Sequence, residues 1–186
     1  MTERKDKKSN RLSAKRLALM AMFVALSYAV SWIEIPIVEP FKLDFGNVFI
    51  LLIAFLLGPV EGVIVCVLKE ALRMIGSSSG GVGELANMLV TCSFILFPAM
   101  LYRYNKGLRV VCTSLLAACA VATLTALITN RYITFPLYMG AELGVTMFAQ
   151  LFGTIVCFNL FKTMAVSILT ILLYKRLSNF FKKWEQ

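Results

Sequence analysis

The stretch from Phe152 to Tyr174, FGTIVCFNLFKTMAVSILTILLY, constrains this chain more than any other. It is apolar enough, and long enough, to cross a bilayer as a helix, which takes about 20 residues. Near its middle stand Asn159 and Lys162, three residues apart and therefore on one helical face. At about 1.5 Å per residue, Lys162 lies about 15 Å along the axis from Phe152. A lysine stem does not easily snorkel that far, so its ammonium needs a polar partner or a wet cavity. Charge at that depth is costly and by default marks a functional site facing the protein interior. The alternative is a structural pair that ties two helices together.

With 59% of its 186 residues hydrophobic, the chain has almost no room for a soluble domain. Cys66, Cys92, Cys112, Cys119 and Cys157 all lie in apolar segments without CxxC spacing. They read as small buried hydrophobes, not as a disulfide framework or a metal site. The absence of histidine removes Ser-His and Cys-His catalysis and HExxH zinc chemistry. The net charge of +9 raises the possibility of nucleic acid, but its distribution argues against it. Arg4, Lys5, Lys7, Lys8, Arg11, Lys15 and Arg16 precede the first apolar run. Arg103, Lys106 and Arg109 sit in a short loop, and Lys175, Arg176, Lys182 and Lys183 follow the last run. Basic residues flanking membrane spans follow the positive-inside rule, and no folded domain carries a patch for RNA.

Taken in order, a basic cytoplasmic tail (1–14) leads into helix 1, about 15–33, which reads as retained because no small-x-small cleavage site follows it. Ala14, Ala18, Ala21, Ala25 and Ala29 recur at spacings of three and four, giving a smooth face that suits close helix approach. That face serves either an internal contact or another subunit. A loop with Pro36 and Pro40 follows, and then about thirty apolar residues from Asp44. Gly58-Pro59 divides them, since Pro cannot continue the backbone ladder. The reading is a short helix 2 (46–57) and helix 3 (60–75), the short one either buried by neighbours or set where the protein is thin. This division also puts every basic cluster on one side. Lys69, Glu70 and Arg73 then lie near the outer end of helix 3, where they can pair along the helix. Gly76 to Gly83 form a glycine-serine connector, either a hinge or a gate, with no Gly-Lys-Ser/Thr of a nucleotide loop. Helix 4 runs 84–102, helix 5 108–128, a loop spans 129–151, and helix 6 begins at 152.

The expected architecture is an all-α integral membrane protein: six transmembrane helices across 15–176, both termini cytoplasmic, with a second basic tail over 177–186. Loops 34–45, 76–83 and 129–151 then face outward. They bring Trp32, Phe41, Asp44, Phe45, Glu84, Asn87, Asn130, Tyr132, Phe135 and Tyr138 to one end, toward Asn159 and Lys162. The aromatics alone would suit an interfacial belt. Combined with the polar groups they outline a pocket for a flat, polar-rimmed small molecule. A small intramembrane enzyme is the reading from another class, with Glu70 and Arg73, or Lys162 and a carboxylate, as its groups. No paired-acid or nucleophile motif supports it.

Four segments carry a family resemblance: LDFGNVFILLIAFLLGPVEGVIVCVLKEALRMI, GGVGELANML, NRYITFPLY and FNLFKTMAVSILTILLY. In this order, and over nearly the whole chain after Lys15, they resemble the riboflavin-specific substrate-capture subunits, or S components, of energy-coupling factor (ECF) transporters. The resemblance implies a bacterial plasma-membrane protein that captures riboflavin from outside. It implies no catalytic residue, no metal and no cofactor of its own. ATP is used by two partner ATPase subunits, acting through a membrane coupling subunit. By the same resemblance, Asn130, Asn159 and Lys162 hydrogen-bond the flavin ring, while Leu43, Asp44, Gly83 and Asn87 surround the ligand. Glu84, Phe135 and Tyr138 join them from the outer loops, and the alanine face of helix 1 docks on the coupling subunit. Lys162 is expected to lean on Asp44 or Glu84 when no ligand is bound. The chain departs from the family pattern at Gly46-Asn47, at Glu61 and at Arg131. An outer Arg131 favours an anionic flavin such as the mononucleotide, or is an ordinary loop charge. Thiamine and folate are the other cargoes open at this point.

Overall fold

The computed structural model describes residues 14–38, 41–77, 80–105 and 107–184; the basic stretch before Ala14 lies outside them. Helix α1 (Ala14–Ser31) leads into an antiparallel hairpin, β1 (Glu34–Val38) and β2 (Phe41–Asp44). The expected loop 34–45 is therefore mostly paired strand. Pro36 is tolerated because a two-stranded ribbon is all edge.

Helix α2 (Gly46–Leu56) and helix α3 (Pro59–Ile75) divide where Gly58-Pro59 predicts. Gly58 has φ +132°, open to glycine and strained for other residues, and Pro59 opens the next helix where its missing N–H costs nothing. Eleven residues make α2 only about 16 Å long, well short of a bilayer core of about 30 Å. Of the two explanations for its shortness, burial is correct. Ile50, Leu51, Leu52 and Ile53 are wholly inaccessible, enclosed by α1, α3, α4 (Val82–Tyr104) and α7 (Ala141–Trp184).

Helix α5 (Leu108–Thr129) does not end in the expected loop over 129–151. It passes into a π-helical turn, Asn130–Thr134, and a short α6, Phe135–Met139. Proline and glycine suggest a loop there, but Pro136 falls in the first turn of α6, where it is harmless. The break is a single residue, Gly140, at φ +83°. Helix α7 then starts at Ala141, eleven residues before the expected start at Phe152, and its backbone continues to Trp184 through most of the expected C-terminal tail.

Among the described residues, four helical stretches are long and apolar enough to cross a membrane: Ala14–Ser31, Val82–Tyr104, Arg109–Met139 and Ala141–Tyr174. Contacts define the two ends of the bundle. At one end Arg16 of α1 meets Glu61 of α3 at 3.0 Å and the Leu57 carbonyl at 3.1 Å. Phe55, Tyr102 and Tyr174 pack there with ring centroids 5.2–6.2 Å apart, the two tyrosine hydroxyls hydrogen-bonded. The hairpin, the α3–α4 connection and the π-helical turn lie at the other end, around a cavity. On α1 the faces separate cleanly. Leu19, Met20, Phe23, Val24 and Ser27 are buried, whereas Ala14, Ala18, Ala21, Ala25 and Ala29 are all exposed. Among the described residues, then, nothing covers the alanine face.

Candidate functional site

The cavity measures about 620 Å³ and draws its walls from the hairpin, α3, α4, the π-helical turn, α6 and α7. Asn130 and Asn159 enter it by the same local chemistry. Each side-chain amide donates to the carbonyl four residues back in its own helix, Ala126 at 2.8 Å and Ile155 at 2.9 Å. A carbonyl only accepts, so the assignment of Nδ2 is forced and each Oδ1 is left to accept from a ligand. The π-helical turn starts at Asn130 itself, consistent with the frequent use of such turns at functional sites.

Lys162 also lines the cavity, 93% buried. Its ammonium donates to Asn87 Oδ1 rather than to the expected Asp44 or Glu84 carboxylate. Glu84 is engaged elsewhere, accepting from Ser77 Oγ at 2.7 Å. Asp44 is claimed by Lys69, which is wholly inaccessible and also reaches Glu70 Oε1 at 2.7 Å. Lys69 and Glu70 thus do pair, as their place on the helix suggests, and the pair is buried inside the protein. Asn87 joins the two halves. Its Nδ2 donates to both Glu70 and Asp44, while its Oδ1 accepts from Lys162 and, at 3.4 Å, from Asn47. Two carboxylates and two ammonium groups thus share one hydrogen-bonded network beneath the ligand space. Burial works against the charge on Asp44, but Lys69, Lys162 and the Gly46 N–H at 2.7 Å hold its carboxyl below the ordinary range.

The apolar wall is aromatic. Phe41 of β2 and Phe158 of α7 lie with centroids 5.2 Å apart, and at the rim the Arg73 guanidinium sits 4.9 Å over Trp32. Of the residues expected at the site, Asp44, Gly83, Glu84, Asn87, Asn130, Tyr138, Asn159 and Lys162 all border the cavity. Leu43 and Phe135 do not; both are buried, Phe135 in the main hydrophobic core. Arg131 does not border the cavity; its guanidinium lies 5.7 Å over the Tyr132 ring and 5.8 Å over Phe148. Phe158, Glu70, Arg73 and Thr134 also border the cavity and were not among the residues expected in the pocket. Phe158 stands beside Asn159 in the sequence, and it is Phe41 of the hairpin, packed against it, that brings it to the cavity.

The geometry suits a flat, partly aromatic molecule with hydrogen-bonding edges: an aromatic wall, two amide acceptors and one ammonium in a largely buried space. Residues 15–174 match the family model described as ECF transporter, substrate-specific component. The chain is 34% identical to the riboflavin transporter RibU of Staphylococcus aureus (strain TCH60), over 95% of this chain and 97% of that one. It is 27% identical to the riboflavin transporter FmnP of Bacillus subtilis (strain 168), over 68% of this chain and 70% of that one. The solved S component of a bacterial ECF transporter superposes with a TM-score of 0.77 at 34% identity, covering 90% of this chain and 98% of that one.

Proposed function

Because this chain belongs to the substrate-specific components of ECF transporters, we propose that its cavity captures riboflavin from outside the cell for an ATP-driven uptake system. It is a multi-pass membrane protein of a transporter family, not of an enzyme family. The observation that carries the cargo reading is the convergence of Asn130, Asn159 and Lys162 on one cavity beside Phe41 and Phe158. About 620 Å³ lies within the range typical of small-molecule sites. A flavin ring against the aromatic wall would present its polar edge to the two amide oxygens and the ammonium. Riboflavin is cargo here, not a cofactor.

The topology in this reading is six passes with both termini cytoplasmic. Successive helices alternate between the two ends of the bundle, and Arg16, Arg103 and Arg109 lie at the end opposite the cavity, in keeping with the positive-inside rule. The partners are a membrane coupling subunit and two ATPase subunits. The exposed alanine face of α1 is the surface offered to the coupling subunit, since close backbone approach is what holds membrane helices together.

The test is to purify the chain in detergent and record its absorption spectrum. Co-purified flavin should colour it yellow. Ligand-free protein should then quench riboflavin fluorescence at a one-to-one end point, with FMN, thiamine and folate titrated as competing cargoes. Binding of one of those without riboflavin would replace this reading.

A further inference from the structure

We propose that Glu70 is a further ligand-binding residue of the large cavity, and that its open carboxylate oxygen accepts a hydrogen bond from a hydroxyl of the cargo's polyol side chain. Glu70 lines the cavity although it is only 1% exposed. Its two oxygens have different surroundings. Oε1 accepts from Lys69 Nζ at 2.7 Å and from Asn87 Nδ2. Oε2 makes no hydrogen bond among the described residues. Nor is Oε2 sealed in the interior. Among the described residues, the side-chain polar atoms that are both sealed off and unpartnered are Asn47 Oδ1 and Thr170 Oγ1. The opening left to Oε2 is the cavity that Glu70 lines. A carboxylate so deeply buried is costly while one oxygen lacks a partner, so that oxygen is set for a donor that the ligand brings.

The donors and acceptors around the cavity identify the matching part of the ligand. Asn130 Oδ1, Asn159 Oδ1 and Glu70 Oε2 can only accept, and the Lys162 ammonium can only donate. An oxidised flavin ring carries a single N–H, set between two ring carbonyls. The amide oxygens, on the π-helical turn and on α7, meet that N–H, and Lys162 meets a ring carbonyl. Glu70 stands on another element, α3, and the ring has no donor left for it. The hydroxyls of the ribityl chain are donors. That chain leaves the central ring nitrogen on the flank beside one carbonyl, so its first hydroxyls fall near the group that serves this carbonyl. Glu70 and Lys162 are placed to match, since both are hydrogen-bonded to the side-chain amide of Asn87, one at Nδ2 and the other at Oδ1. An open carboxylate alone would also suit a cationic cargo, but an ammonium one amide away repels one.

The consequence is selectivity. A hydrogen bond to an ionised group is roughly twice as strong as one between neutral groups. Glu70 thus lets the site tell a flavin with a hydroxylated chain from the bare ring, while Asn130, Asn159 and Lys162 read the ring that both share. Lys69, which does not border the cavity, and Asn87 hold Oε1 and so keep the carboxylate in place for the ligand. The hydroxyl assignment rests on the riboflavin reading above; the open carboxylate oxygen does not.

The test titrates riboflavin and lumiflavin, which has a methyl group in place of the polyol chain, into the purified full chain and into Glu70→Gln. In the variant the amide oxygen takes over the bonds from Lys69 and Asn87, and a neutral NH2 replaces Oε2 at the cavity. The riboflavin Kd should rise about three- to tenfold, the difference between a hydrogen bond to a charged group and one between neutral groups. The lumiflavin Kd should stay at the parental value, which also shows that the variant is folded. If Glu70→Gln does not stay monodisperse, the double variant Lys69→Met with Glu70→Gln, which leaves one charge of each sign, carries the same comparison. A crystal structure of the riboflavin complex needs no substitution, and in it a chain hydroxyl should lie within hydrogen-bond distance of Glu70 Oε2. Equal weakening of both flavins, no change in either, or a chain directed away from Glu70 in the crystal overturns the role of Glu70 and leaves the cargo reading standing. Parental protein that binds neither flavin refutes the cargo reading itself, and the hydroxyl contact falls with it.

Discussion

Lys69→Met is the most informative single perturbation of the buried network. Lys69 is wholly inaccessible and serves two carboxylates, Asp44 and Glu70, which are themselves 8% and 1% exposed. At the 2.7 Å separation from Glu70, with an effective dielectric constant of about 20, each contact is worth about 6 kcal/mol of gross attraction. Desolvation offsets much of this, so the intact pair adds little net stability, but removing one partner strands the other and costs about 3–5 kcal/mol. For a chain of this length each kcal/mol moves Tm by about 2–4 °C, so Lys69→Met should unfold roughly 10 °C below the parent. The double variant Lys69→Met with Glu70→Gln leaves Asp44 facing Lys162, one charge of each sign, and should recover most of that loss. Thermal unfolding in a single detergent, followed by loss of the monodisperse chromatographic peak, gives all values on one scale. The reasoning fails if Lys69→Met melts with the parent, or if the added Glu70→Gln lowers Tm further.

Four other outcomes are expected. Asn159→Ala and Lys162→Ala should each weaken riboflavin binding by about 1–3 kcal/mol in titrations, with the fold retained; unchanged affinity in both would remove them from the site. With native cysteines replaced, Ile37→Cys in the hairpin should react with an impermeant maleimide on intact cells and Tyr104→Cys should not, and the reverse pattern would invert the topology. Ala21→Trp or Ala25→Trp should leave riboflavin binding near normal while cellular uptake collapses, because both residues are exposed and remote from the cavity; parallel loss of binding would end the docking role. Because the Asp44 pKa is lowered in the fold, its stabilisation is complete above the ordinary carboxylate value and is lost as pH falls through the lowered one. Tm measured against pH should therefore show an acid decline that Asp44→Asn makes shallower.

Much of the molecule was readable from local rules. Gly58-Pro59 splits one apolar run into two helices, and the depth of Lys162 in another run marks an interior site. The failures share a physical cause. Lys69 and Glu70 are adjacent in a helix, a spacing at which side chains do not face one another. They nevertheless meet at 2.7 Å, and the lysine is also held by Asp44, 25 positions before it, delivered by a strand that a proline-containing loop does not announce. Lys162 finds Asn87 across 75 positions, a pairing that no periodicity encodes. Tyr138 was legible as a pocket residue, yet Phe135, three positions earlier, turns into the core. The segment 129–151 contains the punctuation of a loop, but its proline sits at a helix start, and one glycine is enough for the turn.

The buried network also has an electrical consequence. Asp44 and Glu70 against Lys69 and Lys162 make two formal negative and two formal positive charges. Each unbalanced charge moved through the transmembrane field would exchange about 2.3 kcal/mol per 100 mV with it. A cluster summing to zero exchanges none, and riboflavin is itself uncharged. The buried network by itself therefore gives the membrane potential no net charge to act on, and a bound flavin adds none; Lys42, Arg73 and Glu84, which also border the cavity, lie outside that balance.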